Sequence, residues 1–271
     1  MCIDIFNNIL AETKITNMLI TCNKISKSYK AKDKELLCLQ DISFQLQSQE
    51  FLSIVGPNGC GKTTILKIID GILCPTSGEI MYNMPEKKTL TSMVFQNHGL
   101  FPWLTVLENV AFGLEMQGVN KKERSERAMS FLKQISLDSF ARYFPDQLSL
   151  GMRQQVAILR ALATDPYVLL MDEPFASVDA QIKRILQARL LYIWERYQKS
   201  VIYVTHDIEE AIFLSDKILV MSSRPGKILC EISIPLERPR QLSGEHLKTI
   251  AEIKFHIWKL IEKEVTRSCE I

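Results

Sequence analysis

Phe51-Leu-Ser-Ile-Val55 followed by Gly56-Pro57-Asn58-Gly59-Cys60-Gly61-Lys62-Thr63-Thr64 is the stretch on which the reading of this chain turns. The first five residues are a mostly apolar run of strand length, and Thr64–Asp70 carries a helical pattern. The residues between them fit G-x-x-x-x-G-K-[ST], a phosphate-binding loop in its proper strand–loop–helix setting. Glycines let the backbone wrap closely round a triphosphate with its N–H groups inward. The following helix adds its positive N-terminal end. The spacing assigns Lys62 to the β- and γ-phosphates and the Thr63 hydroxyl to Mg²⁺. A glycine-rich turn that binds no nucleotide is the plain alternative, and the flanking strand and helix argue against it.

Working outward, 271 residues suffice for one large domain or two small ones. The formal charge of +2 gives no bulk attraction to nucleic acid or lipid. Seven cysteines, at 2, 22, 38, 60, 74, 230 and 269, form no C-x-x-C pair, so neither a disulfide framework nor a zinc site is expected. A reducing cytoplasm fits that usage best. The N-terminal MCIDIFNNILAETKITN lacks a basic segment followed by a long apolar core, so a signal peptide is not expected. No run approaches the roughly 18 apolar residues of a membrane span. The expectation is a soluble protein, or one held at a membrane only through a partner.

Residues 1–16 read as an N-terminal extension and 17–242 as the main domain. Leu19–Ser26, Leu37–Gln45, Phe51–Val55, Glu79–Tyr82, Thr91–Phe95, Tyr167–Met171, Val201–Val204 and Lys217–Met221 read as strands. In the second of these regions Ile42, Phe44 and Leu46 alternate with polar residues. Leu104–Ala163 is helical in pattern, within a helical subdomain of about 98–160, and Gln181–Tyr197 reads as a further helix. Strands and helices alternating on either side of a helical block predict an α/β core with an inserted helical subdomain. Ser243–Lys263, within a C-terminal segment 243–271, is amphipathic, and is expected to pack back on the core rather than to bind a partner.

Val168-Leu-Leu-Met171 leads into Asp172-Glu173-Pro174, which sets two acids at the carboxyl end of a buried strand, where open α/β sheets bind ligands. Asp172 suits Mg²⁺ through its water shell. Glu173 suits the orientation or deprotonation of an attacking water. Two solvated acids at a helix start are the bland alternative. His206 follows the strand Val201–Val204 and is a candidate for contact with the γ-phosphate and the water, while Asp207 is a candidate cap for Ile208–Leu214. Gln96 follows Thr91–Phe95 in the same way and is a candidate Mg²⁺ ligand and γ-phosphate sensor.

Taken together, GPNGCGKTT at 56–64, Gln96, LSLGMRQQ at 148–155, VLLMDEP at 168–174, SVDA at 177–180 and His206 resemble the nucleotide-binding subunit of an ABC transporter, over about residues 20–240. The resemblance implies a P-loop NTPase core of the RecA-like type, with an antiparallel β subdomain and an inserted α-helical subdomain. It implies ATP and Mg²⁺ as ligands, and ATP hydrolysis as the activity. It also implies a head-to-tail dimer with a second copy of the chain, in which each ATP lies between the phosphate loop of one and the signature of the other. Ser149, Gly151 and Met152 match the signature, which precedes a helical run whose N-terminus suits a γ-phosphate. Ser177 and Asp179 match the loop that crosses the interface, and Tyr29 stands where the family often stacks an aromatic on adenine. A multi-span permease at the cytoplasmic face of a bacterial inner membrane, an extracytoplasmic solute-binding protein acting indirectly, and no nucleic acid complete the implied partners.

Leu150 departs from the LSGGQ-like signature, and Val178 from the usual Leu. If position 150 needs φ > 0, a leucine there is strained and the subunit is a weak hydrolase; if its backbone is ordinary, the side chain need only fit. FPWLTVLENV at 101–110, FASVDAQ at 175–181, SSRPGKI at 222–228 and IPLERPRQ at 234–241 resemble the branch that imports nitrate, sulfonates, taurine and related small organic solutes. Phe101, Pro102 and Trp103 are either part of a groove for a helix of the membrane subunit or subdomain core. A soluble ABC-type ATPase, such as a cluster-assembly factor, is the competing function.

Overall fold

Alternation of apolar and polar residues builds the first sheet. The computed structural model describes residues 18–31, 34–84, 89–97, 99–176, 178–238, 240 and 246–269. The expected extension 1–16 and the candidate Ser177 therefore lie outside the described residues. The strands are β1 (Met18–Ala31), β2 (Lys34–Gln47), β3 (Phe51–Val55), β4 (Ser77–Tyr82), β5 (Thr91–Val94), β6 (Val168–Asp172), β7 (Ser200–Thr205), β8 (Lys217–Met221) and β9 (Ile228–Ser233). The helices are α1 (Lys62–Ile69), α2 (Val106–Met116), α3 (Lys121–Gln134), α4 (Leu150–Ala163), α5 (Ala180–Tyr197), α6 (Ile208–Leu214) and α7 (His246–Cys269). The described residues divide into two compact units, those within Met1–Glu86 and His206–Ile271 forming the first and those within Lys87–Thr205 the second.

In the first unit β2, β1 and β4 make an antiparallel sheet in that order. Ile42, Phe44 and Leu46 of β2 are buried while Asp41, Ser43 and Gln45 are exposed, as one covered face requires. All five residues of β3 are buried, and β3 pairs in parallel with β8 from Leu52↔Lys217 to Val55↔Val220. A continuous buried run is the mark of a strand covered on both faces. β8 then pairs antiparallel with β9, a strand absent from the sequence reading. Its half-buried Ile228, Cys230 and Ile232 alternate with exposed neighbours, so its apolar signal is spread thin. α7 packs back on this unit, as expected: Ile250 and Ile257 join Val55, Ala211, Ile212, Ile218, Val220 and Ile234 in one apolar cluster.

In the second unit β5, β6 and β7 are parallel, in the register Val94↔Met171 and Met171↔Tyr203. The helical stretch 104–163 is not continuous: it comprises α2, α3, two 3₁₀ turns at Asp138–Phe140 and Pro145–Gln147, and α4. Gly118 at φ 80 ends α2, and the Asn120 side chain caps α3 by accepting from Glu123 N. Among the described residues no helix is long and apolar enough to cross a membrane.

Candidate active site

The phosphate loop is built inside the first unit. β3 delivers the chain to Gly56, and α1 starts at Lys62. Gly61 caps that helix at φ 109, a backbone state that requires glycine, and a Cβ there would lie 2.5 Å from Leu39 Cδ2, so the Leu39 side chain would also have to shift. No side chain caps α1 and its first turn carries no acid, so its N-terminal dipole meets no competing negative charge there. Lys62 is 5% exposed, and its ammonium donates to the carbonyls of Gly56 (2.9 Å) and Pro57 (3.0 Å). The loop's own backbone thus holds the cation in place. Thr63 is exposed beside it. Burial pushes the Cys60 thiol up against the opposing pull of Lys62, so this cysteine is a buried filler of the loop rather than a nucleophile. Tyr29 lies at the same place, its hydroxyl 3.5 Å from Thr64 Oγ1 and its ring 5.5 Å from Lys27 Nζ.

In the sequence the Arg-Pro-Gly at 224–226 carries only a resemblance to one branch. It is a wall of the phosphate loop. Arg224 Nη2 and Nε donate to Gly59 O at 2.9 and 3.3 Å. Gly226 bridges to β2, its N–H donating to Cys38 O and its carbonyl accepting from Gln40 N. A Cβ on Gly226 would sit 2.2 Å from Cys60 O. The glycine itself was a visible signal; the contact, made across 165 residues, was not.

The acids belong to the second unit. Asp172 is the last residue of β6, 7% exposed and paired with Val204. Glu173 follows it half-buried, its N–H donating to Val204 O at 2.9 Å. Its φ of 44 is left-handed, an uncommon state for a side-chain-bearing residue. That state turns the chain sharply at the strand end. Gln96 is exposed two residues beyond β5, the parallel neighbour of β6, so Gln96 and the two acids emerge at one edge of the β5-β6-β7 sheet.

Ser149 Oγ accepts from Met152 N at 3.3 Å and so caps α4. Leu150 is therefore the first helical residue, with no left-handed backbone, and the strain considered for it is absent. A Cβ on Gly151 would make ordinary contact, at 3.4 Å, with Ile182 of α5. Asp179 caps α5, accepting from Ile182 N at 3.1 Å. His206 belongs to the first unit and is exposed directly after β7, and Asp207 caps α6 by accepting from Glu209 N and Glu210 N.

Trp103 is 70% exposed, so it is not subdomain core. Phe101 is half-buried and packs on Phe112 (4.5 Å between centroids) and Trp103 (5.5 Å). The fully buried Asn109 fixes this corner: it accepts from Phe101 N and donates to the carbonyls of Phe101, Leu104 and Thr105.

A family model described as ABC transporter matches residues 39–176, from β2 through the phosphate loop and signature to the strand-end acids. The chain belongs to the ABC transporter family. Its relatives within that family include the aliphatic sulfonates import ATP-binding protein SsuB of Bacillus cereus, 42% identical over 86% of this chain and 93% of that one. The nitrate import ATP-binding protein NrtD of Synechocystis is 42% identical over 81% of this chain and 84% of its own length. Among solved structures, a dimer of the ATP-binding cassette MJ0796 in a post-hydrolysis state with ADP and Pi has a TM-score of 0.70 at 31% identity, covering 81% of this chain and all of that one. This ABC chain is accordingly an ATPase with the fold of those cassettes.

Proposed function

We propose that this ABC ATPase is the energy-coupling subunit of a bacterial importer for nitrate, a sulfonate, taurine or a related small organic solute. The observation that carries the nucleotide site is Lys62, buried and held on the carbonyls of Gly56 and Pro57 at the open N-terminus of α1. The names of the SsuB and NrtD relatives support the import direction and the solute class.

In this reading Gly56, Asn58, Gly59, Cys60 and Gly61 turn backbone N–H groups to the β- and γ-phosphates, Pro57, which has no N–H, shapes the loop between them, and Lys62 exchanges loop carbonyls for phosphate oxygens. The exposed Tyr29, beside Thr64, stacks on adenine. The hydroxyls of Thr63 and Thr64, the Gln96 amide and the Asp172 carboxylate are oxygen donors of the kind Mg²⁺ takes, and Thr63, Gln96 and Asp172 would hold it; the ion would screen the charge of the phosphates. Glu173 orients and deprotonates the attacking water, and His206 contacts the γ-phosphate. Ser149, Gly151 and Met152 of one copy meet the γ-phosphate bound by the other, through the N-terminus of α4. Ser177 and Asp179 lie in the loop that crosses between the copies. ATP has more partners in the closed dimer than in the monomer, so it drives closure, and hydrolysis releases it.

The protein sits at the cytoplasmic face of the inner membrane, held by a multi-span permease, and a solute-binding protein acts on the complex from the far side. The exposed Trp103 and the half-buried Phe101 suit a docking groove for a permease helix, because an aromatic anchor on a rigid corner contributes most at an interface. Purification from gently solubilised membranes of the source tests this. A stoichiometric multi-span partner is the expected result, and recovery only from the soluble fraction without such a partner would contradict it.

A further inference from the structure

We infer that Arg224 is a positioning residue for ATP binding, holding the carbonyl side of the phosphate loop turned outward; this rests on the reading of Gly56–Thr64 as the ATP site. Two successive carbonyls of the loop face the turn at 222–226. Gly59 O takes two hydrogen bonds from the Arg224 guanidinium, and Cys60 O lies so close to Gly226 that no side chain fits there. A loop that cradles an anion must keep its carbonyl dipoles away from it. Gly59, at φ 75 and without a Cβ, resists peptide rotation poorly by itself. The guanidinium supplies that resistance, and it places a permanent positive charge beside the loop.

The turn that carries Arg224 is itself held from three sides. Gly226 is bonded to Cys38 and Gln40 of β2. The buried Ser222 hydroxyl donates to the carbonyls of Ser223 (2.8 Å) and Pro225 (3.0 Å) and accepts from Lys227 N (2.9 Å). Ser223 N and Oγ reach the Glu264 carboxylate of α7 at 3.3 Å. A side chain mounted on so fixed a turn holds its acceptor in one place. Arg224 touches loop backbone and not the reacting atoms, so its loss weakens binding and leaves the chemical step intact.

The test uses the full chain with Arg224→Ala and Arg224→Lys, measuring equilibrium binding of ATP with Mg²⁺, steady-state KM and kcat, and melting without nucleotide. For Arg224→Ala the expected result is an ATP Kd and KM raised about five- to tenfold, with kcat within about twofold. Arg224→Lys recovers part of the loss, since an ammonium keeps the charge but not the two-donor grip. An unchanged Kd in Arg224→Ala overturns the proposal, with or without a lower melting temperature, and so does a fall in kcat at constant KM. If the alanine variant does not fold, Arg224→Lys decides alone: a Kd equal to wild type overturns the proposal, and a raised one supports it. Wild-type protein that binds no ATP overturns the phosphate-loop reading beneath it, and that shows in the control before any variant is compared.

Discussion

Glu173 stands one residue beyond the buried end of β6, and glutamine at that position keeps the shape while losing the base. Glu173→Gln is expected to lower ATP turnover by about 10²–10⁴ with ATP binding retained, measured as phosphate release beside equilibrium binding. A variant that turns over ATP like wild type would remove Glu173 from the proposed chemistry. Leu150 tests the opposite kind of claim. Its backbone is helical, because Ser149 caps the helix that Leu150 opens, so glycine there relieves no strain. Leu150→Gly is expected to change turnover by no more than about twofold, and a large gain would mean that the leucine does obstruct the signature. At this scale the sequence was most informative where the chemistry is local. Gly56–Thr64 carries its whole motif in nine residues, and Asp207 capped its helix as the residue type suggested. The left-handed Glu173 and the grip of Arg224 on Gly59 left no such mark, because one is a backbone state and the other joins positions 165 apart.

Elements hold the site residues in place, and the helical part of the second unit shows how. Asn109 ties the corner before α2 with one accepted and three donated hydrogen bonds while fully buried. Asn109→Ala takes the side-chain partner from Phe101 N and Leu104 O, while Phe101 O and Thr105 O keep their bonds from Leu104 N and the backbone N of residue 109, and it is expected to cost about 1–3 kcal/mol in denaturant unfolding; a loss below about 0.5 kcal/mol would show the corner to be held by other means. At the start of α2, Thr105 N and Oγ1 both donate to Glu108 Oε2 at 2.8 Å, and Glu108 N donates back to Thr105 Oγ1 at 3.3 Å. Those bonds from Thr105 hold the Glu108 carboxyl below its ordinary value of 4.5. A carboxyl whose folded value is lowered stabilises the fold above its ordinary value and loses that contribution as pH falls through the folded one. The melting difference between wild type and Glu108→Gln is therefore expected to be full at neutral pH and to shrink as pH falls below the ordinary value of 4.5; a constant difference would contradict it. The Thr105-x-x-Glu108 pattern is a legible start signal, and Gly118 and Asn120 mark where the helical block divides. β9 was less legible, since its three half-buried residues carry too weak an alternation to stand out.

For the whole molecule, the ordered motifs made the family readable from the sequence, whereas the proposed assembly that would complete the site involves a second copy, whose contacts no single chain displays. In the proposed reading the signature at Ser149–Met152 of one copy and the phosphate loop at Gly56–Thr64 of another would serve one ATP, which requires two chains to face each other. Stability of that dimer should follow the nucleotide, because ligand binding favours whichever state binds it better. The most direct test is the mass of Glu173→Gln in solution, by light scattering, with ATP, with ADP and without nucleotide. A particle of twice the 31.1 kDa chain is expected with ATP, and of one chain in the other two conditions. A protein that binds ATP and stays a monomer, or one that dimerises equally in all three conditions, would contradict it.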